Sequence, residues 1–151
     1  MANNHLFREF LKRIGPKRKF IFDLDHTIWN CTLEYQQDTS PEFMKTKIKP
    51  DMHDILKNIR NNGNSLNVAS RSSMPISCKA VLASAFPTIK FDHMAIYPTE
   101  QYKREHIGEC FPGETPHDFI MFDDDKLILN DLGTLYPSCK VMWCRSSKNN
   151  R

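Results

Sequence analysis

Asp23 and Asp25 stand two positions apart directly after the apolar run Phe20-Ile21-Phe22. Two carboxylates this close repel, and at the end of a buried strand they are costly unless a cation offsets them. A second acidic cluster, Asp123-Asp124-Asp125, follows another apolar run, Phe119 to Phe122. Either cluster alone reads as a helix cap or a solvated turn; both together at strand ends point to a divalent cation. Hard oxygen ligands without a Cys/His set favour Mg²⁺ over Zn²⁺. The metal alone does not explain why two acids sit at 23 and 25. One of them can attack phosphorus as an anionic nucleophile, while the other protonates the leaving oxygen and then deprotonates the hydrolytic water. Phosphoryl transfer also needs positive charge and hydrogen-bond donors on the transferred oxygens. Ser70 and Lys103 are placed to supply them.

These residues depend on the elements around them. Leu6, Phe7, Phe10, Leu11 and Ile14 recur at helical spacing over Asn4 to Ile14, and Gly15-Pro16 stops that helix. Lys19 to Phe22 reads as a buried strand. Met52, Ile55, Leu56 and Ile59 mark a helix between Pro50 and Asn62-Gly63, and a strand follows at Ser65 to Ala69. Ser73 as cap and Pro75 in the first turn predict a helix running towards Phe86. A short strand at Met94 to Tyr97, a helix over Thr99 to Cys110 and a strand at Asp118 to Phe122 come next. A helix from Lys126 to Leu132, stopped by Gly133, and a strand from Lys140 to Cys144 close the series. Strands alternating with helices imply βαβ units, hence a three-layer α/β/α sandwich around a mostly parallel sheet of about five strands. Ligands in such sheets sit at the carboxyl ends of the strands, where Asp23, Ser70 and Asp123 fall.

With the residues laid out in this order, the sequence resembles the haloacid dehalogenase (HAD) superfamily of phosphatases. Asp23-Leu24-Asp25-His26-Thr27 fits the DxDxT signature, Val68-Ala69-Ser70 resembles the second motif, Lys103 the third and Phe122-Asp123-Asp124 the fourth. Within the superfamily, Phe22 to Trp29, Ala69-Ser70-Arg71-Ser72, Ile96-Tyr97-Pro98 and Phe122 to Asp125 are similar to the eukaryotic magnesium-dependent (acid) phosphatase branch, which is linked to phosphotyrosine and sugar phosphates. The resemblance covers about residues 18 to 144. It implies Asp23 as nucleophile and metal ligand, and Asp25 as acid/base that also gives its backbone carbonyl to Mg²⁺. It implies that Thr27 holds the loop geometry beside the substrate, that Ser70 and Arg71 contact the phosphorylated substrate, and that Lys103, with His106 three residues on, balances charge. Asp123 or Asp124 anchors the metal. The interval from Asp23 to Ser70 leaves only about Asn30 to Lys49 for a cap, too little for a domain of its own, so an open site is expected.

The 151 residues, 40% hydrophobic and 26% charged, fit one globular domain and exclude disorder for the bulk of the chain. Residues 1–17 read as an amphipathic helix with a basic linker, 18–145 as the phosphatase domain and 146–151 as a disordered tail. No run approaches the ~20 apolar residues of a membrane span, and no secretory signal is visible, so no membrane partner is expected. Five cysteines without a CxxC pair suggest free thiols in a reducing compartment, cytoplasmic or nuclear. Six histidines lack zinc-site spacing and read mostly as surface or loop residues; five glycines build no dinucleotide fingerprint. Trp29 reads as core rather than as a stacking platform. The expected function is an Mg²⁺-dependent phosphomonoester hydrolase working through an aspartyl-phosphate on a phosphoprotein, phosphotyrosine or sugar phosphate. Its rivals are a nucleic-acid end phosphatase, favoured by the basic run Lys12, Arg13, Lys17, Arg18 and Lys19, and a non-enzymatic phospho-ligand or protein-binding module.

Overall fold

A computed structural model describes residues 4–100 and 102–145; the tail expected at 146–151 lies outside them. Five parallel strands form one sheet: β1 (Lys19–Phe22), β2 (Ser65–Ser70), β3 (His93–Ile96), β4 (Ile120–Asp123) and β5 (Lys140–Trp143). Their order is β3-β2-β1-β4-β5. The chain winds outward from β1 to β3, then returns to place β4 on the other side of β1, so β1 and β4 flank the point where the winding reverses. That crevice at the carboxyl ends is where open parallel sheets place their ligands.

The period of two along each strand sorts side chains between two helix layers. Phe20, Phe22, Leu66, Val68, Ile120 and Phe122 face one core, shared with Leu11, Met44, Leu56, Val81 and Leu82. Those partners come from α1 (Asn4–Ile14), α2 (Pro41–Lys45), α3 (Met52–Asn61) and α4 (Pro75–Ala85). Ile21, Ala69 and Met121 face the other core, with Ile107 from α5 (Arg104–Glu109) and Leu129 and Leu132 from α6 (Lys126–Leu135). The result is the α/β/α sandwich the sequence predicts. Between β1 and α3 lie only a 3-10 turn at Leu33–Tyr35 and the five-residue α2, and no cap domain stands among the described residues.

Three expectations need correction. The helix predicted over Thr99 to Cys110 begins only at Arg104, because Lys103, at its N-cap, is drawn inward to Asp23 and Asp123. Gly133 does not stop α6, which continues to Leu135; its backbone stays outside the left-handed region, and Val141 Cγ1 packs 4.0 Å from where its Cβ would be. Ser73 does not cap α4. Its hydroxyl donates to Glu34 instead, while Ser72 Oγ accepts the Met74 N–H at 3.1 Å. Helix α6 does have a side-chain cap, since Asp125 Oδ1 accepts the Leu127 N–H at 2.9 Å.

Candidate active site

At the ends of β1 and β4, Asp23 and Asp123 emerge side by side, tied by a 2.9 Å bond from the Asp23 N–H to the Phe122 carbonyl. Lys103 reaches both: its Nζ stands 2.6 Å from Asp23 Oδ1 and 2.7 Å from Asp123 Oδ2. At 2% exposure this ammonium is among the most buried groups in the protein. Burial acts to strip its charge, and the two carboxylates overcome it, holding the group above the ordinary lysine value. His106, one turn along α5, sets the lysine's position by stacking on Tyr97 at 4.2 Å and sharing a 2.8 Å hydrogen bond with the Tyr97 carbonyl. Burial lowers the His106 pKa and favours the neutral ring. It is a core residue on a helix, so the expectation of surface or loop histidines fails at this position; His26, also buried, lies in the loop after β1.

Asp124 completes a triad: one oxygen from each of Asp23, Asp123 and Asp124 falls within 4.8 Å of the others. Three carboxylates against one lysine leave an excess of negative charge in a buried crevice. Burial, reinforced at Asp23 by Asp124, pushes the carboxyls of Asp23 and Asp123 up to about 6 against the pull of Lys103. The cluster therefore fits a small divalent cation that prefers hard oxygen donors, and Mg²⁺ matches that donor set. Both acids that the sequence left as alternatives, Asp123 and Asp124, are within reach. Asp125 serves the helix end instead.

Asp25 is oriented by its own loop. Oδ1 accepts the Trp29 indole N–H at 2.8 Å and the Leu33 N–H at 2.9 Å, leaving Oδ2 without a hydrogen bond to any described residue. Trp29 is core, as expected, and its indole donor to Asp25 is a role the sequence did not reveal. Thr27 is buried under the loop with Oγ1 donating to Asp23 Oδ2 at 3.0 Å. That bond ties the loop back to Asp23, and Thr27 does not line the cleft.

A cleft of about 770 Å³ opens above these groups. Asp23, Asp25, Ser70, Arg71, Lys103, Asp123 and Asp124 all face it, which brings together every other residue singled out from the sequence. Ser70 is buried at its floor, where its Oγ accepts the Ser72 N–H at 3.2 Å. Arg71 is exposed on one wall, with Nη2 donating to the Thr99 carbonyl at 3.0 Å. The opposite wall is formed by Lys126, Trp143 and Arg145, none of which the sequence pattern marked.

No family model matches the chain, and no curated protein does so. Solved structures do. The fold matches a chain of the Pnkp1/Rnl/Hen1 complex with TM-score 0.58 and 17% identity, over 87% of this chain and 47% of that one. It matches D,D-heptose 1.7-bisphosphate phosphatase from B. bronchiseptica, complexed with magnesium and phosphate, with TM-score 0.63 and 11% identity, over 83% and 79% of the two chains. The HAD domain of effector protein Lem4 from Legionella pneumophila matches with TM-score 0.56 and 18% identity, over 87% of each chain. The chain thus spans about half the length of the Pnkp1/Rnl/Hen1 chain and most of the other two. At 11–18% identity the likeness is one of fold, shared with the HAD domain of Lem4 and with the heptose bisphosphate phosphatase.

Proposed function

We propose that the chain is a phosphomonoester hydrolase that uses Mg²⁺ and passes through a phosphorylated Asp23. The observation that carries this reading is the buried contact of Asp23, Asp123 and Lys103 beneath a cleft that also holds Asp25. An Asp23 oxygen attacks phosphorus, the bond to the leaving oxygen breaks, and Asp25 gives that oxygen its proton. Asp25, now a carboxylate, takes a proton from water as the water attacks the acyl phosphate, which releases phosphate and restores Asp23. Lys103 and the Ser70 hydroxyl face the transferred oxygens. Asp23, Asp123 and Asp124, with the Asp25 carbonyl, would hold the cation, which would supply charge neutralisation. Two neighbours in fold support the choice of metal: the heptose bisphosphate phosphatase, and a phosphatase domain from Bacteroides fragilis that is complexed with Mg.

The phosphatase unit in this reading is residues 18–145, and the helix Asn4–Ile14 ahead of it packs on its core through Leu11. Among the described residues no helix is long and apolar enough to cross a membrane. The small cap leaves the cleft open to phosphate on a large molecule, a phosphoprotein or a nucleic acid end, as well as to a sugar phosphate. One observation favours the nucleic-acid reading: the Pnkp1/Rnl/Hen1 complex, a chain of which matches in fold, is an RNA repair complex.

Hydrolysis of a generic aryl phosphate tests the core of the proposal. Turnover should vanish in excess chelator, return with Mg²⁺ and fail with Ca²⁺, whose larger coordination sphere can capture both Asp23 oxygens and remove the attacking one. Asp23→Asn should abolish turnover at every metal concentration. Undiminished rates in chelator, or an active Asp23→Asn protein, would sink the mechanism.

A further inference from the structure

We propose that the cleft wall built by the ends of β4 and β5 is a nucleoside subsite, so that the phosphate presented to Asp23 is the terminal phosphate of a single-stranded nucleic acid. The inference rests on the phosphatase reading and names its substrate. Trp143 ends β5 with 46% of its surface exposed, and it lines the same cleft as Asp23. Its indole N–H donates to the Asp124 carbonyl at 3.1 Å, which fixes the ring against the acidic loop. Lys126 Nζ sits over one face of the ring, 4.2 Å from its centroid, and Arg145, two residues beyond the tryptophan, joins the same wall. The Arg145 backbone is itself held, its carbonyl accepting from Lys49 Nζ at 3.2 Å. An anchored, half-exposed ring with one cation over it and a second on the same wall is a pairing that binds single strands, a base taking the ring face as the flexible lysine head turns to a phosphate.

Spacing selects among phosphomonoesters. Two strand intervals separate β1 from β5, about 10 Å at the usual separation of paired strands. The ring of a phosphotyrosine is joined to phosphorus through a single oxygen and stays close to Asp23, short of Trp143. A sugar phosphate has no π face to offer. A nucleotide interposes its ribose between phosphate and base, which carries the base towards the tryptophan, and the next phosphodiester brings charge towards Lys126 and Arg145. The basic run before β1 has no such position. Lys17, Arg18 and Lys19 surround a separate cavity with Phe111 and His117 at the amino ends of the strands. Arg18 and Lys19 there already donate to the Asp118 and Cys110 carbonyls at 2.9 and 2.6 Å.

The test compares short oligonucleotides phosphorylated at either end with a mononucleotide, a phosphotyrosine peptide and glycerol phosphate, using the full chain with Mg²⁺. The oligonucleotide should give the highest kcat/KM. Trp143→Leu should lower that value by about 5- to 100-fold, mainly through KM, as expected when one base no longer stacks, and should lower it far less for glycerol phosphate. Trp143→Phe, which keeps a ring without the N–H bond to Asp124, should recover most of the loss. Lys126→Gln and Arg145→Gln should each flatten the slope of log KM against log salt by about 0.7 for every phosphate left unneutralised. In the Asp23→Asn protein, oligonucleotide should quench the fluorescence of Trp143, leaving that of the buried Trp29. Equal losses on oligonucleotide and glycerol phosphate without rescue by Phe would overturn the subsite and make Trp143 a brace for the Asp124 loop. A preference for the peptide, or no gain over the mononucleotide, would overturn it too. Quenching without hydrolysis of any substrate would support the subsite and remove the phosphatase.

Discussion

Asp25 and Asp23 differ in what surrounds them, and the difference predicts how each responds to substitution. Asp23 is gripped at both oxygens, by Lys103 and by Thr27, whereas Asp25 is held by described residues through Oδ1 alone. A carboxyl anchored on one side keeps its other oxygen for proton traffic. Asp25→Asn should therefore slow turnover by about 10²–10⁴-fold on an alkyl phosphate, the usual worth of a general acid/base. The loss should shrink in the first step when the leaving group is a nitrophenolate, which needs little protonation; a burst of product in rapid mixing would show it. The metal ligands carry a pH signature. The carboxyls of Asp23 and Asp123 stand near 6 in the metal-free protein because burial disfavours their charge. A cation must displace the protons they hold below that pH. The apparent Kd for Mg²⁺ should be flat above about pH 7 and rise at least tenfold by pH 5, as one or two protons are displaced per ion. Titration calorimetry in two buffers checks both the rise and the proton release. With folded values above the unfolded carboxylate value, these two groups also make metal-free stability fall as pH climbs from about 4 to 6.

The helices and loops respond to different rules. Gly133 lies inside α6 with an ordinary helical backbone, and an added Cβ would meet only Val141 at contact distance. Gly133→Ala should raise stability by about 0.4–1 kcal/mol and Tm by about 1–4 °C. Gly63 is the opposite case. Its φ of +80° and the Pro16 Cβ at 3.1 Å predict that Gly63→Ala lowers Tm. Thermal unfolding of the two variants separates the readings. Gly133 also marks a limit of the sequence: a glycine after an apolar stripe reads as a stop, and only the packing of α6 on β5 decides otherwise. The strands and their terminal acids were legible because apolar runs opening into carboxylates carry a local signature. Lys103 was legible as a site residue, but the shortening of the helix after it was not, since nothing local says that a lysine will turn inward to two aspartates. Trp143 falls inside the strand read at Lys140 to Cys144, and no local signal set it apart. Its exposure follows from β5 being an edge strand, paired only with β4, and strand order is a property of the whole sheet. The indole bond from Trp29 to Asp25 was hidden for the same reason: burial was readable, the direction of the N–H was not.

The whole molecule converges on the seam between β1 and β4. Helix α1 adds to it from outside, with Phe7 meeting the Phe122 ring edge-on at 6.4 Å and Leu11 fully buried. Under the acids, Phe22 and Phe122 are register partners whose rings stack at 4.5 Å with an interplanar angle of 1°. Asp23 and Asp123 are the very next residues on each strand. The separation of the two carboxylates is therefore set by a packed aromatic pair below them and by Lys103 between them. Uptake of the ion then buries almost no new apolar surface, and apolar burial is what gives association its heat-capacity signature. Magnesium titrations at several temperatures should return an enthalpy that hardly changes with temperature. A steeply negative slope would mean that the strand ends are loose without the ion and freeze around it, so the calorimeter reads directly whether the phenylalanine pair keeps the mouth of the sheet rigid.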